Sequence, residues 1–402
     1  MQVAFFTDSY PPMRDGVAQV TGSLAKELVR LGHGVRVFAP NPVSGAPSEE
    51  TQENGITVQR LRSLRVPLYG QYRWPLFPFS ALREARGAAD ADVLHVHSPG
   101  GLGSVAFLAA RRFHRPLLGT FHTNLREMEA SVPSKFLVPS FFRVAWWWNL
   151  GLYWRCDVAT APSVAAQEAL TGSVRKPFRR PVEVVPNGID LERFTPGLAV
   201  PDWRARCGFP AAPLATYLGR LTVDKGVHRF LDAVAEARER TDLVAVVGGL
   251  GPEEAAVRER IRDDPRLRGI ARYVGPVAEE EKPALLGQSD IFVLPSTSDT
   301  SSIALLEAMA CGTAVIGPAE GGAAELLDDG KNGRRVPVLV PGALSKALVD
   351  LADAPAARRS MGAFGRQYVR ERASVETMAR RFISLYEHLI EVRRSDGGRT
   401  PG

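Results

Sequence analysis

The chain opens on a continuous apolar run, Val3, Ala4, Phe5 and Phe6 with Thr7 after them. A run of this length predicts a strand buried on both faces. The period then changes. Val20, Leu24, Leu28 and Leu31 recur at helical spacing over residues 18–31, and Gly32 follows as a stop signal. Residues 35–39 are apolar again and end at Pro40, and the short runs at 93–96, 117–120 and 158–161 read as further strands. Strands alternating with helices predict a parallel, doubly wound sheet.

The rhythm restarts in the second half. Residues 214–218, 243–247, 271–274, 291–294 and 314–316 are strand-like, with helical stretches at 227–238 and 254–262. Two turn-rich segments, Pro186-Asn187-Gly188 and Phe194-Thr195-Pro196-Gly197, mark the seam. The expected fold class is α/β: two Rossmann-like domains, 1–190 and 191–375, facing a central cleft lined by the carboxyl ends of both sheets. A last helix over 376–394 carries Met378, Phe382, Leu385, Leu389 and Val392, and residues 395–402 read as a disordered tail.

Composition agrees with that outline. A length of 402 residues suits two domains, and 45% hydrophobic with 23% charged residues is ordinary for a globular chain. The longest apolar stretches, such as 102–110, fall far short of the ~20 residues that span a bilayer. The first strand follows Met1 without a basic leader or cleavage site, so the expected location is cytoplasmic. Cys156, Cys207 and Cys311 are far apart and form no C-x-x-C pair, which argues against a disulfide framework or zinc site. The net charge of +6 favours anionic partners, unless arginine is simply the default surface cation here. With no long Lys/Arg run, nucleic acid is not an expected partner.

Candidate chemistry lies in the loops that follow strands. Tyr10-Pro11-Pro12-Met13-Arg14-Asp15-Gly16 leads into the first helix, where Gly16 would let backbone approach an anion at a helix N-terminus; βα loops in general also need such a glycine. Gly219, Arg220 and Lys225 follow the first strand of the second domain. Arg220 offers a fork of donors and Lys225 a point charge, and together they could hold a diphosphate and stabilise charge developing on it. The alternative is a solvated loop with an Asp224–Lys225 pair. Asp299, Ser301, Ser302 and Glu307 span a loop-to-helix junction: hydroxyls suited to capping, and a carboxylate inside an apolar helix that needs a partner. A sugar diol or an unseen cation would each serve Glu307. His95 and His97 share a strand face, but no third ligand has matching spacing, so no metal is expected. His122, at another strand end, is the better candidate for contact with a sugar, against a purely structural role.

Together these segments resemble family 4 glycosyltransferases. The most specific are Gly219-Arg220 with Lys225, the block from Asp299 to Glu307 with Ala308-Met309-Ala310-Cys311-Gly312-Thr313, and Pro186-Asn187-Gly188-Ile189-Asp190 with Phe194 and Pro196. Thr7-Asp8-Ser9-Tyr10-Pro11-Pro12, Asp15-Gly16-Val17 and Phe121-His122-Thr123 look most like the branch acting on phosphatidylinositol or diacylglycerol. The resemblance implies the GT-B fold, with the terminal helix crossing back to the first domain, and retention of anomeric configuration. It implies that Arg220 and Lys225 bind the donor diphosphate, with Gly16 and Gly219 against it. Glu307 would hold the ribose, Asp299, Ser301 and Ser302 would lie near the sugar, and His122 would contact the transferred sugar. In that family the donor phosphate itself takes the acceptor proton, and neither metal nor other cofactor is expected beside the nucleotide-sugar co-substrate (UDP- or GDP-linked). Asp299 stands where most members have Glu, and Ser301 and Ser302 replace an apolar residue and Gly.

The acceptor would come from the first domain, through Tyr10, Asp15, Tyr69 and Tyr72. Tyr69, Tyr72, Trp74, Phe77 and Phe79 with Arg65 and Arg73, and Trp146, Trp147, Trp148 and Trp154 with Arg143 and Arg155, have the composition of an interfacial patch. The expected acceptor is a glycolipid or phospholipid headgroup, with peripheral contact at the inner membrane face. A packed aromatic helix is the plainer reading of the tryptophans, and a soluble cyclitol or natural product is the rival acceptor. A nucleotide-sugar-binding protein or an epimerase of the same fold is the rival class.

Overall fold

The computed structural model describes residues 1–13, 15–66, 69–75, 78–122, 147–148, 150–172, 178, 181–198 and 200–397. The chain divides into two compact units. One is formed by the described residues up to Gly188 together with those from Val375 onward, the other by Ile189–Ser374.

The first unit is built on β1 (Gln2–Phe6), β2 (Gly34–Pro40), β3 (Glu49–Glu53), β4 (Ile56–Leu61), β5 (Ser63–Val66), β6 (Tyr69–Pro75), β7 (Val93–Val96), β8 (Leu117–Thr120), β9 (Val158–Ala161) and β10 (Glu183–Val184). Its main sheet runs in the order β10-β9-β8-β7-β1-β2-β4-β3, and β5 pairs with β6 as a separate antiparallel hairpin. All main-sheet pairs are parallel except β3 with β4. The central strands are buried on both faces, which is why they read as unbroken apolar runs. The first helix, Gly16–Arg30, starts two residues earlier than its apolar spacing suggests, because Asp15 caps it by accepting from Ala18 N at 2.9 Å.

The second unit holds β11 (Leu214–Leu218), β12 (Val244–Gly248), β13 (Ala271–Gly275), β14 (Ile291–Val293), β15 (Ala314–Pro318) and β16 (Arg334–Val336). Its sheet is parallel throughout, in the order β13-β12-β11-β14-β15-β16. Both units are therefore doubly wound α/β sheets of the Rossmann kind.

The helix Val375–Gly397 follows the second unit in sequence but belongs to the first. Met378, Phe382, Tyr386 and Leu389 form its buried stripe, and Leu385, expected inside, is only partly covered. Tyr386 takes the inward place at i+4 from Phe382 and brings its hydroxyl to 2.7 Å from His95 Nδ1 in the unit's core. No helix among the described residues is long and apolar enough to cross a membrane.

Candidate active site

The second unit changes winding direction at β11, which lies between β12 and β14. Ligands of open α/β sheets bind outside the carboxyl ends at such a point, and the loops after β11 and β14 meet there. Lys225 Nζ lies 2.6 Å from Asp299 Oδ1 across these loops, although the residues are 74 positions apart. Both side chains are 14% exposed. Asp224 joins the same loops differently: its carbonyl accepts from Thr297 N at 3.0 Å, and its Oδ2 accepts from Ser298 Oγ at 2.5 Å. Burial pushes the Asp224 carboxyl up, but the Ser298 and Thr222 hydroxyls and the Lys225 and Arg220 charges outweigh it and hold it below the usual range.

Glycine makes the approach workable. Gly226 has φ +74°, and a Cβ there would meet Pro295 O at 2.3 Å. A third loop, after β12, lies against the first. Gly219 N donates to Gly248 O at 3.1 Å, and Leu221 N to Leu250 O at 2.9 Å. Arg220 is exposed at the crest of this ladder, its carbonyl accepting from Tyr217 Oη at 2.8 Å. The sequence reading missed Gly248-Gly249-Leu250-Gly251 as part of the site. Its signal was glycines immediately after a buried strand.

Ser302 caps the helix Ile303–Ala310, its hydroxyl accepting from Leu305 N at 3.2 Å. That is the local use of a serine at a position where glycine was expected. Glu307 is 2% exposed, surrounded in its helix by the buried apolar Leu305, Leu306, Ala308, Met309 and Ala310. Two polar atoms of the constellation, Asp299 Oδ2 and Ser301 Oγ, are buried without a hydrogen-bond partner among the described residues. Such atoms cost roughly 1–3 kcal/mol each when left unmatched, and a polyhydroxylated ligand would match them.

The first unit has its own switch point at β1, between β7 and β2. Asp8 Oδ1 accepts from Leu102 N at 3.2 Å, at the start of the helix Gly101–Phe113. Burial raises the Asp8 carboxyl to about 7 in spite of that bond. Asp15, an acceptor candidate, spends one oxygen on the helix cap and the other on Ser9 Oγ. Tyr10 is 3% exposed, beneath the Arg60 guanidinium, and burial first, then Glu53, pushes its phenol up to about 12. Gly16 is exposed as the first residue of the capped helix. Tyr69 and Tyr72 lie on β6, and their side chains fall outside the described residues, as do Trp146, Arg143 and Arg14.

His122 meets a histidine the sequence considered only as a metal ligand. His97 Nδ1 lies 3.1 Å from His122 Nε2, with the rings stacked at 5.4 Å. His95, two residues before His97, turns to other partners: Tyr386 Oη and Thr120 Oγ1, each at 2.7 Å. Among the described residues no group of three His, Cys, Asp or Glu is placed to hold a metal ion.

Burial holds all three histidines neutral. His122 is pushed down to about 4, and His95 and His97 lie well below the usual range, with the neighbouring histidines adding to burial. The unfolded chain thus takes up protons near 6.5 that the folded chain refuses, so stability is full above 6.5 and is lost as pH falls. Asp8 runs the other way, contributing below about 4 and losing its contribution as pH rises through about 7. Three groups outweigh one. The melting temperature is expected to fall progressively as pH drops from 6.5 to 5 in a thermal scan. A flat or rising curve over that interval would contradict the buried neutral cluster.

Comparison with known proteins identifies the family. Residues 14–193 match the model of Glycosyltransferase Family 4, and residues 212–354 match that of Glycosyl transferases group 1. A GDP-mannose-dependent alpha-mannosyltransferase of Mycolicibacterium smegmatis is 30% identical over 329 residues, 81% of this chain and 82% of the relative. A GDP-mannose-dependent alpha-(1-6)-phosphatidylinositol monomannoside mannosyltransferase of the same organism is 27% identical over 418 residues, covering 97% and 99%. Among solved structures, sucrose-phosphate synthase from Thermosynechococcus elongatus superposes with a TM-score of 0.76 at 22% identity, covering 98% of this chain and all of the other. That likeness establishes the fold.

Proposed function

Since the chain belongs to glycosyltransferase family 4, we propose that it transfers a hexose, with retention, from a nucleoside diphosphate donor to a hydroxyl of a lipid-borne polyol headgroup. The Lys225–Asp299 contact at the carboxyl ends of β11 and β14, beside two buried unmatched polar atoms, carries this reading. A cation there suits a leaving pyrophosphate, and Asp299 Oδ2 with Ser301 Oγ suits sugar hydroxyls.

In the proposed step the acceptor oxygen bonds to the anomeric carbon as the bond from that carbon to the phosphate oxygen breaks. The acceptor proton passes to the departing phosphate, and the nucleoside diphosphate leaves. Arg220 and Lys225 stabilise its charge, Glu307 accepts from the ribose hydroxyls, and His122 contacts the transferred sugar. No resident metal or cofactor is required. GDP-mannose is the first donor to test, because both Mycolicibacterium smegmatis relatives are named for it. Peripheral membrane contact through the exposed Trp147 and Trp148 belongs to the same proposal.

The test follows nucleoside diphosphate release from GDP-mannose or UDP-glucose, with and without phosphatidylinositol vesicles. Acceptor-dependent release with an α-linked lipid product is expected; release independent of any acceptor would count against transfer. In that assay Glu307→Gln should raise the donor KM about 10- to 100-fold, the worth of one charged hydrogen bond, with a smaller change in kcat. An unchanged KM would remove Glu307 from the nucleotide.

A further inference from the structure

The contact between His97 and His122 constrains where the protons are. A neutral imidazole carries one N–H and one bare nitrogen, so a bond between two neutral rings needs one to donate and the other to accept. His97 is wedged in place, with Phe5 edge-on to it at 4.6 Å and His95 at 3.8 Å between ring centroids. Its outer nitrogen, Nε2, is buried and has no hydrogen-bond partner among the described residues.

Two arrangements satisfy the 3.1 Å contact. If His122 Nε2 donated, the proton of His97 would sit on its own Nε2, as a buried N–H with nothing to receive it. If His97 Nδ1 donates, its Nε2 is a bare lone pair. Orphaned buried donors are rarer in folded proteins than under-used acceptors. We propose that His97 donates from Nδ1 to His122 Nε2 and so fixes His122 in the tautomer whose N–H is on Nδ1. His97 is then a positioning residue: it makes His122 a hydrogen-bond donor from Nδ1 and occupies the lone pair a base would need. This rests on the reading of His122 as the residue that meets the transferred sugar.

Burial is consistent with both rings staying neutral, since each lies below the usual histidine range. The arrangement is anchored from beneath. His95, packed against His97, is held at one nitrogen by Tyr386 of the terminal helix and at the other by Thr120, which continues to Thr160 Oγ1 at 2.7 Å.

The tautomer can be read directly in the full-length protein labelled with 15N-histidine, since protonated and bare ring nitrogens resonate far apart in long-range 1H–15N spectra. The His122 signals are assigned by their loss in His122→Gln. Protonated Nδ1 and bare Nε2 are expected for His122, and the reverse in the unmodified protein overturns the proposal whether or not any variant folds. His97→Asn, whose amide can still donate, should keep the tautomer and a kcat within about twofold. His97→Asp, which can only accept when ionised, should move the proton to His122 Nε2 and lower kcat about five- to tenfold, the worth of one neutral hydrogen bond. A folded His97→Asp variant with the tautomer unmoved also overturns the proposal. Failure of the underlying reading looks different: His122→Ala would turn over normally while the tautomer assignment stood.

Discussion

Lys225→Ala should lower kcat/KM for the donor by roughly 10² to 10³, the usual cost of deleting one preorganised group that stabilises transition-state charge. The loss should fall mainly on kcat, because charge on the phosphate grows as the glycosidic bond breaks. A second consequence follows from the ion pair. Lys225 and Asp299 are both 14% exposed at 2.6 Å, so removing the cation leaves a carboxylate largely withdrawn from water. That should cost on the order of 1–3 kcal/mol of stability. The effects separate in the double variant Lys225→Ala/Asp299→Asn, which should recover much of the stability and none of the rate. Lys225→Arg keeps the charge but not the compact geometry, and should fall between. A Lys225→Ala enzyme within threefold of the parent would remove this residue from the diphosphate.

How far the sequence foreshadowed this site depends on the distance over which each interaction is written. Residues 93–96, 117–120, 158–161 and 214–218 are legible to the residue, because a parallel strand covered on both faces is predominantly apolar. Strand β3 (Glu49–Glu53) is the opposite case: a polar, antiparallel edge with no apolar signature, stabilised by its pairing with β4. At the site, Lys225 and Asp299 each stood out from their neighbours, but their mutual contact depends on β11 and β14 being adjacent, which only the sheet order creates. The histidines show the same limit. Alternation along β7 puts His95 and His97 on one face, yet the first bonds Tyr386, 291 positions away, and the second bonds His122. Asp15 was readable as the residue before a helix, and its helix cap follows from that placement alone.

The other large effect is expected from a residue that touches no substrate in the proposed mechanism. Gly249 has φ +138°, and a Cβ built there would lie 1.8 Å from Gly219 O and 2.9 Å from its carbonyl carbon. Both obstacles are backbone, so no side chain can turn aside. Gly249→Ala must therefore drive apart the loops after β11 and β12, against the Gly219–Gly248 and Leu221–Leu250 hydrogen bonds and the bond from Glu253 N to Leu221 O at 3.1 Å. Strained backbone and overpacking each cost about 1–3 kcal/mol, so the second unit should lose roughly 2–6 kcal/mol. Arg220 stands on the displaced loop, and a shift of about 1 Å in a positioning group can cost 10²-fold in rate; kcat/KM should fall by at least that much in protein that remains folded. Gly269→Ala is the control. It also replaces a glycine at positive φ, +86°, but nothing lies within 4 Å of the new Cβ. It should cost about 1 kcal/mol and leave turnover intact. Equal losses in the two variants would mean that backbone strain alone is being measured, and that contact between the two loops does not hold Arg220 in place.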